Sequence, residues 1–503
     1  MLEDAERPDL VAAQPVSDAP TAVPGSPAAA VRPEQAATTS PSAAPAAVGP
    51  ADAESAVKKA KGPGDVAGHM LQTLIGNFFP PLAVLVSAPI LAHALGVDGR
   101  GEVAAATAPL TLVITAATFG IPDAVNYVVA RSPLTVRRAT RTALVLMFIA
   151  GLAATAAVIL SSSWLSGGDV TIQHLITVAS LAIVPSLVVA VLRGAASGLH
   201  LWRRVSLERF ISSFIRIAAL VPLWLTGNLT PMAATIVIAV GPLLGAIAYW
   251  RMPGTGKNPE IPHDTGKDTG PRQIMSFGMR VWVGAISGIL LSRLDQALMT
   301  PLSDSYELGL YAVAATIADI PLIINRAVRD VTFSADAAEA TDNRLGTSAR
   351  ISSTASALLG LVTAVTMIWW LPLLFGADFS PAIPITAVLL LAAVLGTPGS
   401  IAGAGLSARG RPGLRSSSLV ISCLINVALL FLIVPTYGAM GAAIATLVGS
   451  LIAANANIFF LWKIFGLSPR EFYGFRRSDW HTSVRFARRM RQRTKGGSAA
   501  TAR

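Results

Sequence analysis

The chain has 503 residues, 53% of them hydrophobic and 13% charged, with a mean hydropathy of +0.59. Soluble domains carry about 25% charged residues, so this composition excludes a water-soluble globular protein and makes lipid the solvent. The 39 Lys and Arg against 28 Asp and Glu fit basic cytoplasmic loops rather than a nucleic-acid surface, and the single cysteine, Cys423, excludes a disulfide framework or a cysteine metal site within the chain.

Residues 1–66 are rich in Ala, Pro and Ser, with Glu3, Asp4 and Glu6 at the start, the composition of a disordered tail. No basic start followed by an apolar run marks a secretory signal, and Lys58, Lys59 and Lys61 form a basic anchor that favours a cytoplasmic tail. Twelve apolar segments follow: 70–95, 103–130, 141–164, 171–198, 207–226, 231–250, 274–301, 306–334, 351–375, 381–408, 414–435 and 439–465. Each is long enough to cross a hydrocarbon core about 30 Å thick. Open strands in lipid would leave backbone groups unbonded, so the expected fold is all-α: a polytopic membrane protein with 12 transmembrane helices.

Charge in the connections orients them. Arg131, Arg137, Arg138 and Arg141, then Arg203, Arg204 and Arg209, Lys257, Lys267 and Arg272, Arg344 and Arg350, and Arg409, Arg411 and Arg415 all fall after even-numbered segments. Odd connections are nearly free of positive charge. The alternation places both termini in the cytoplasm, in agreement with a basic tail over 467–503 that carries Arg476, Arg485 and Arg488. The polar stretch 252–273 divides the segments six and six. The halves, 67–251 and 274–466, echo one another: Gly101-Glu102-Val103-Ala104 matches Gly309-Leu310-Tyr311-Ala312, and Gly198-Leu199 matches Gly405-Leu406. An even number of segments per half relates two lobes by an axis along the membrane normal and leaves a cavity between them.

Leu95-Gly96-Val97-Asp98-Gly99-Arg100-Gly101-Glu102, Phe119-Gly120-Ile121-Pro122-Asp123-Ala124, Arg293-Leu294-Asp295-Gln296 and Gly438-Ala439-Met440-Gly441 resemble segments of the multidrug/oligosaccharidyl-lipid/polysaccharide (MOP) exporter superfamily, within it the Wzx-like polysaccharide flippases. The resemblance spans residues 70–465 and rests on order and spacing. It implies two six-helix lobes around a central cavity, as in MATE-like transporters. It further implies a secondary transporter in the bacterial cytoplasmic membrane that moves an undecaprenyl-diphosphate-linked oligosaccharide from the inner to the outer leaflet by alternating access. Membrane lipid and polysaccharide-synthesis proteins, the latter docking on the tails, are the other expected partners. An ion-coupled multidrug antiporter of the same superfamily would want an acidic, aromatic cavity. A lipid II flippase generally has two more spans, whereas Pro469 onward is polar and basic here. A membrane glycosyltransferase or polymerase would need a large loop holding carboxylates or histidines, and no phosphate-cradling Gly-rich motif followed by Lys-Ser/Thr marks a nucleotide site; neither an enzyme nor a cofactor is expected.

Ionisable residues inside a bilayer are expensive and normally face a polar interior. Arg293 and Arg280 are the foremost candidates for the diphosphate, because a guanidinium donates two parallel hydrogen bonds to phosphate. Asp295, Asn77, Asn126 and Arg216 complete the candidate cavity set. Asp123, after Pro122, and Asp319, near Pro321, are candidate coupling-ion sites, with a helix cap at a proline break as the alternative for each. Arg326 and Arg329 are expected to snorkel to the cytoplasmic interface, and for Arg293 an outer-end position stands equally open.

Overall fold

Proline and glycine fall inside the apolar runs, and the helices bend where they do. The computed structural model describes residues 63–132, 135–250, 270–338 and 342–474. The expected N-terminal tail up to residue 62, most of the central linker (251–269) and the tail beyond 474 lie outside the described residues. The first half of the chain forms α1 (Pro63–Ala117), α2 (Ile121–Arg131), α3 (Val136–Leu165), α4 (Val170–Ser180), α5 (Ile183–Gly198), α6 (Trp202–Leu225) and α7 (Pro231–Gly245). The second forms α8 (Pro271–Leu302), α9 (Ser305–Ala338), α10 (Asp342–Phe375), α11 (Ala382–Ala408) and α12 (Pro412–Phe465). Short 3-10 turns complete the fold, and no strand occurs among the described residues.

The elements depart from the twelve segments in physically transparent ways. The segment 103–130 is broken between α1 and α2, where Phe119 and Gly120 take φ of 44° and 66°; Pro122 has no N–H to offer the Thr118 carbonyl. Pro185 does the same to Leu181, and 171–198 parts there into α4 and α5. Conversely, α1 and α12 each run through two segments, interrupted by non-helical Gly96 (φ 67°) and Gly438 (φ 51°). A straight 54-residue helix such as α12 would measure about 80 Å, far more than a bilayer needs. Instead it folds back on itself, so that the Ser422 hydroxyl donates to the Gly449 carbonyl.

Among the described residues eight helical spans are long and apolar enough to cross a membrane, with the two kinked helices counted once each and α4 and α5 together as one. The charges of α6 (Arg203, Arg204, Glu208, Arg209, Arg216) and α8 (Arg272, Arg280, Arg293, Asp295) set those two apart from the apolar set. Large apolar side chains point outward, from Trp369 at 70% exposure to Leu160 at 84%, as a lipid-facing surface requires. The interior is built from small residues, among them Ala104, Ala105, Ala106, Ala442 and Ala443, which let helices approach closely.

The hairpin tips meet at one end of the bundle. A Cβ on Gly101 would strike the Ser305 carbonyl, and one on Gly309 would strike the Val97 carbonyl. The contact is reciprocal: Ser305 and Gly309 follow Val97 and Gly101 at the same sequence interval. Glu307 accepts a hydrogen bond from the Ala439 N–H at 2.7 Å and ties the α12 bend into the same cluster. Away from these tips, Gly120 abuts the Gly278 backbone, Tyr127 stacks on Phe277 with ring centroids 4.5 Å apart, and the Trp282 indole donates to the Ala116 carbonyl at 2.8 Å.

After α12 the chain turns back rather than leaving at once as a polar tail. Leu467 and Phe472 are buried against Leu345, Leu406 and Leu461, and Arg350 Nη1 donates to the Glu471 carbonyl at 2.6 Å. Two apolar residues among polar neighbours are a weak sequence signal, but they complete a core that α10 and α11 leave open.

Candidate functional site

A cavity of about 660 Å³ lies among α8, α9, α11 and α12, with Thr111 of α1 on its wall. The α9 wall carries Tyr311, Ala315, Ala318, Asp319, Leu322, Asn325, Arg326 and Arg329, residues three or four apart that share one helical face. Across from it, α8 contributes Ser292, Arg293, Asp295 and Gln296. The α11 and α12 walls are mostly small, with Ala392, Gly396, Gly399 and Ala453, plus the polar Arg415, Thr446 and Asn457. Four arginines (Arg293, Arg326, Arg329, Arg415) therefore face two carboxylates (Asp295, Asp319).

The two carboxylates are held differently. Asp319 lies between guanidiniums, with Arg293 Nη2 at 3.2 Å from one oxygen and Arg326 Nη2 at 3.6 Å from the other. All three side chains are about a third to a half exposed, so these pairs are wet and exchangeable. Asp295 is 4% exposed. It accepts from the Tyr311 hydroxyl, from Thr446 Oγ1 at 3.1 Å and from the Gln296 N–H at 2.7 Å, a closed set of donors linking α8, α9 and α12. Buried Asn325 Oδ1 and Asn457 Oδ1 accept no hydrogen bond from the described residues, while Asn457 Nδ2 donates to the Gly399 carbonyl at 3.2 Å.

Of the sequence candidates, the structure brings Arg293, Asp295 and Asp319 together on this cavity. Arg326 and Arg329, expected at the interface, line it as well; spacing alone does not say which face of α9 meets its neighbours. Arg280 lies on α8 and Asn77 on α1, and their side chains are outside the described residues. Asn126 and Asp123 sit on α2, away from this cavity, with Asp123 exposed in the first turn of its helix. Arg216 stands apart on α6, its Nε donating to Ser87 Oγ at 3.0 Å. Tyr311, Thr446, Asn457 and Arg415 line the cavity in addition to the sequence candidates. The periodic polar stripe from Tyr311 to Arg329 is the sequence signal for the first, whereas Arg415 reads from sequence as loop charge. Cys423 is buried, in keeping with a small packing residue. Among the described residues no cluster of His, Cys, Asp or Glu is arranged to hold a metal ion.

Three known proteins frame this geometry. The probable low-salt glycan biosynthesis flippase Agl15 of Haloferax volcanii is 24% identical over 182 residues, 35% of this chain; the alignment covers 39% of that relative. The lipid II flippase MurJ in an inward closed conformation superposes with a TM-score of 0.65 at 14% identity, covering 80% of this chain and 89% of that one. A multidrug-resistance MATE family transporter of the MOP superfamily in an inward-facing conformation gives 0.60 at 18%, covering 76% and 94%. At such identities these structures show the fold, an all-α polytopic membrane fold of the MOP type. The family model for polysaccharide biosynthesis proteins matches residues 69–333, more than half the chain and including Arg293, Asp319, Arg326 and Arg329, and the protein accordingly belongs to the polysaccharide biosynthesis protein family.

Proposed function

We propose that the protein is a flippase that carries a lipid-linked oligosaccharide, of the undecaprenyl-diphosphate type, from the inner to the outer leaflet of a bacterial cytoplasmic membrane by alternating access. The observation that carries this is the sign of the cavity: four arginines against two aspartates, the complement of a diphosphate rather than of a cationic drug. Family membership and the flippase names of Agl15 and MurJ support it. In this reading α1 and α12 cross twice each, and the charged α6 and α8 cross as well. The chain then spans the membrane twelve times as two six-helix lobes, with both termini in the cytoplasm.

Asp319 acts as a resident counterion. Partly exposed ion pairs contribute only about 0–1 kcal/mol each, so a diphosphate, with more charge and more acceptor oxygens, displaces the carboxylate from Arg293 and Arg326 and takes bidentate hydrogen bonds in its place. Asn325 and Asn457 offer amide groups to sugar hydroxyls. The small residues of α11 and α12 leave the opposite wall smooth. No bond is made or broken in this cycle, and the chain's own groups bind and release only. Asp295, enclosed by Tyr311 and Thr446, holds α8, α9 and α12 in register beneath the load.

Reconstitution into vesicles with a fluorescent polyprenyl-diphosphate sugar tests the reading. Wild-type protein is expected to translocate the probe, and Arg293→Ala to slow it at least about tenfold, equivalent to about 1.4 kcal/mol, at unchanged protein level. Translocation by Arg293→Ala at the wild-type rate removes Arg293 from the site. Export of a fluorescent organic cation in place of the lipid probe overturns the flippase reading itself.

A further inference from the structure

The stretch Val97–Ala117 of α1 is set apart from its neighbours by a hinge at each end. Gly96 before it takes φ of 67°, and Phe119 and Gly120 after it take 44° and 66°. Between these points the backbone is helical throughout, a limb about 30 Å long at the usual rise per residue. The helices that flank it are fastened to the first half. A Cβ on Gly76, in the preceding limb of α1, would strike Ser206 of α6, and Arg216 Nε of α6 donates to Ser87 Oγ at 3.0 Å. Beyond the break, Cβ atoms on Gly194 and Gly198 of α5 would strike the Pro122 and Asn126 carbonyls of α2.

The limb itself is clasped by the second half at three levels. At one end Gly101 abuts the Ser305 carbonyl of α9. In the middle Ala108 and Leu112 pack with Ala297 of α8. At the other end the Ala116 carbonyl accepts the Trp282 indole N–H at 2.8 Å. Gly101, Ala108, Leu112 and Ala116 recur at spacings of one or two turns and so lie along one stripe of the helix. The break makes the last clasp possible: in an unbroken helix the Ala116 carbonyl would accept from the Gly120 N–H, which here reaches Thr118 Oγ1 at 3.4 Å instead. Phe119, a bulky residue in the left-handed region, is held there with its ring centroid 5.4 Å from that of Trp282. Toward the first half, Val103 shares an apolar cluster with Leu91 and Leu220, a contact that can slide because apolar attraction is non-directional.

We propose that the limb Val97–Ala117 is a see-saw that couples the two contacts between the halves: it rocks on the Ala108/Leu112 level, and release of its Ala116 end from α8 drives its Gly101 end against α9. The inference deepens the alternating-access reading, in which one contact parts while the other holds. The hydrogen-bonded limb transmits the displacement, and the hinges at Gly96 and at Phe119–Gly120 absorb the rotation. Thr111, on the cavity wall, lies at the fulcrum and stays beside the cavity while the ends exchange.

The test uses the full chain in detergent, in a Cys423→Ser background carrying Ser305→Cys, with the rate of maleimide labelling as the readout. Two substitutions loosen the Ala116 end by different means. Trp282→Phe removes the indole N–H, and Gly278→Ala places a methyl against the Phe119 carbonyl. Each is expected to slow labelling at least about threefold, because the far end of the limb closes on α9. General loosening or misfolding would speed labelling, so neither imitates the expected sign. When the limb is softened by Thr111→Gly with Thr115→Gly, the slowing is expected to vanish. Unchanged or faster labelling with both substitutions, or equal slowing through the softened limb, overturns the see-saw. Labelling needs no cargo, so its outcome is read separately from that of lipid translocation.

Discussion

Two arginine–aspartate arrangements in the second half differ in what surrounds them, and the difference separates stability from function. Arg409 Nε meets Asp336 Oδ2 at 3.0 Å, with both side chains at or below 5% exposure, and the Arg409 guanidinium also lies 5.2 Å from the Phe465 ring centroid. Removing one partner of such a pair leaves a buried charge, at a cost of about 3–5 kcal/mol. Asp336→Ala is therefore expected to lower the thermal stability of the detergent-solubilised protein markedly, as read by its unfolding midpoint. Around Asp319 the same chemistry is half-exposed, so Asp319→Asn is expected to leave the unfolding midpoint nearly unchanged. It should instead tighten pyrophosphate binding to the cavity, measured by titration, because the competing carboxylate is gone. The types and sequence positions of these residues were legible in the chain. Their pairings were not, because Arg293 and Asp319 come from different helices and Arg409 and Asp336 lie 73 residues apart.

The all-helical class was legible in the apolar runs, and Pro122 marked the break at Thr118–Gly120, whereas the parting of 171–198 at Leu181 and the continuity of α1 and α12 through two segments each were not. What run length did not reveal is which glycines serve as contacts. Gly101 and Gly309 look like ordinary small residues in Ala-rich sequence, yet each leaves room for a neighbouring carbonyl where no methyl fits. Gly309→Val is expected to prevent the tips of the α1 and α9 hairpins from closing. In a Cys423→Ser background carrying Ser305→Cys, the introduced thiol should then react several-fold faster with a membrane-impermeant maleimide, while unchanged labelling would show that the tips do not need this contact. The segment after α12 makes the converse case, because polar composition hid Leu467 and Phe472. Phe472→Ala removes a fully buried ring and is expected to destabilise by about 3–5 kcal/mol, again checked by the unfolding midpoint, with Arg470→Ala as an exposed control near zero.

Across the whole chain, the tips are joined by the reciprocal Gly101 and Gly309 contacts, and the Gly120–Gly278 approach joins the halves a second time. The proposed alternating access would require one of these contacts to part while the other holds, and backbone-to-backbone glycine contacts suit this, since they separate without unthreading long side chains. The cavity wall has a consequence for how the load travels. With all its charged groups on α8, α9 and α12, and Thr111 the contribution of the first half among the described residues, a headgroup bound as proposed would be a passenger of one half. In the proposed flippase cycle, the second half would turn with its cargo already seated, and the first half would serve as a door that opens on either side in turn.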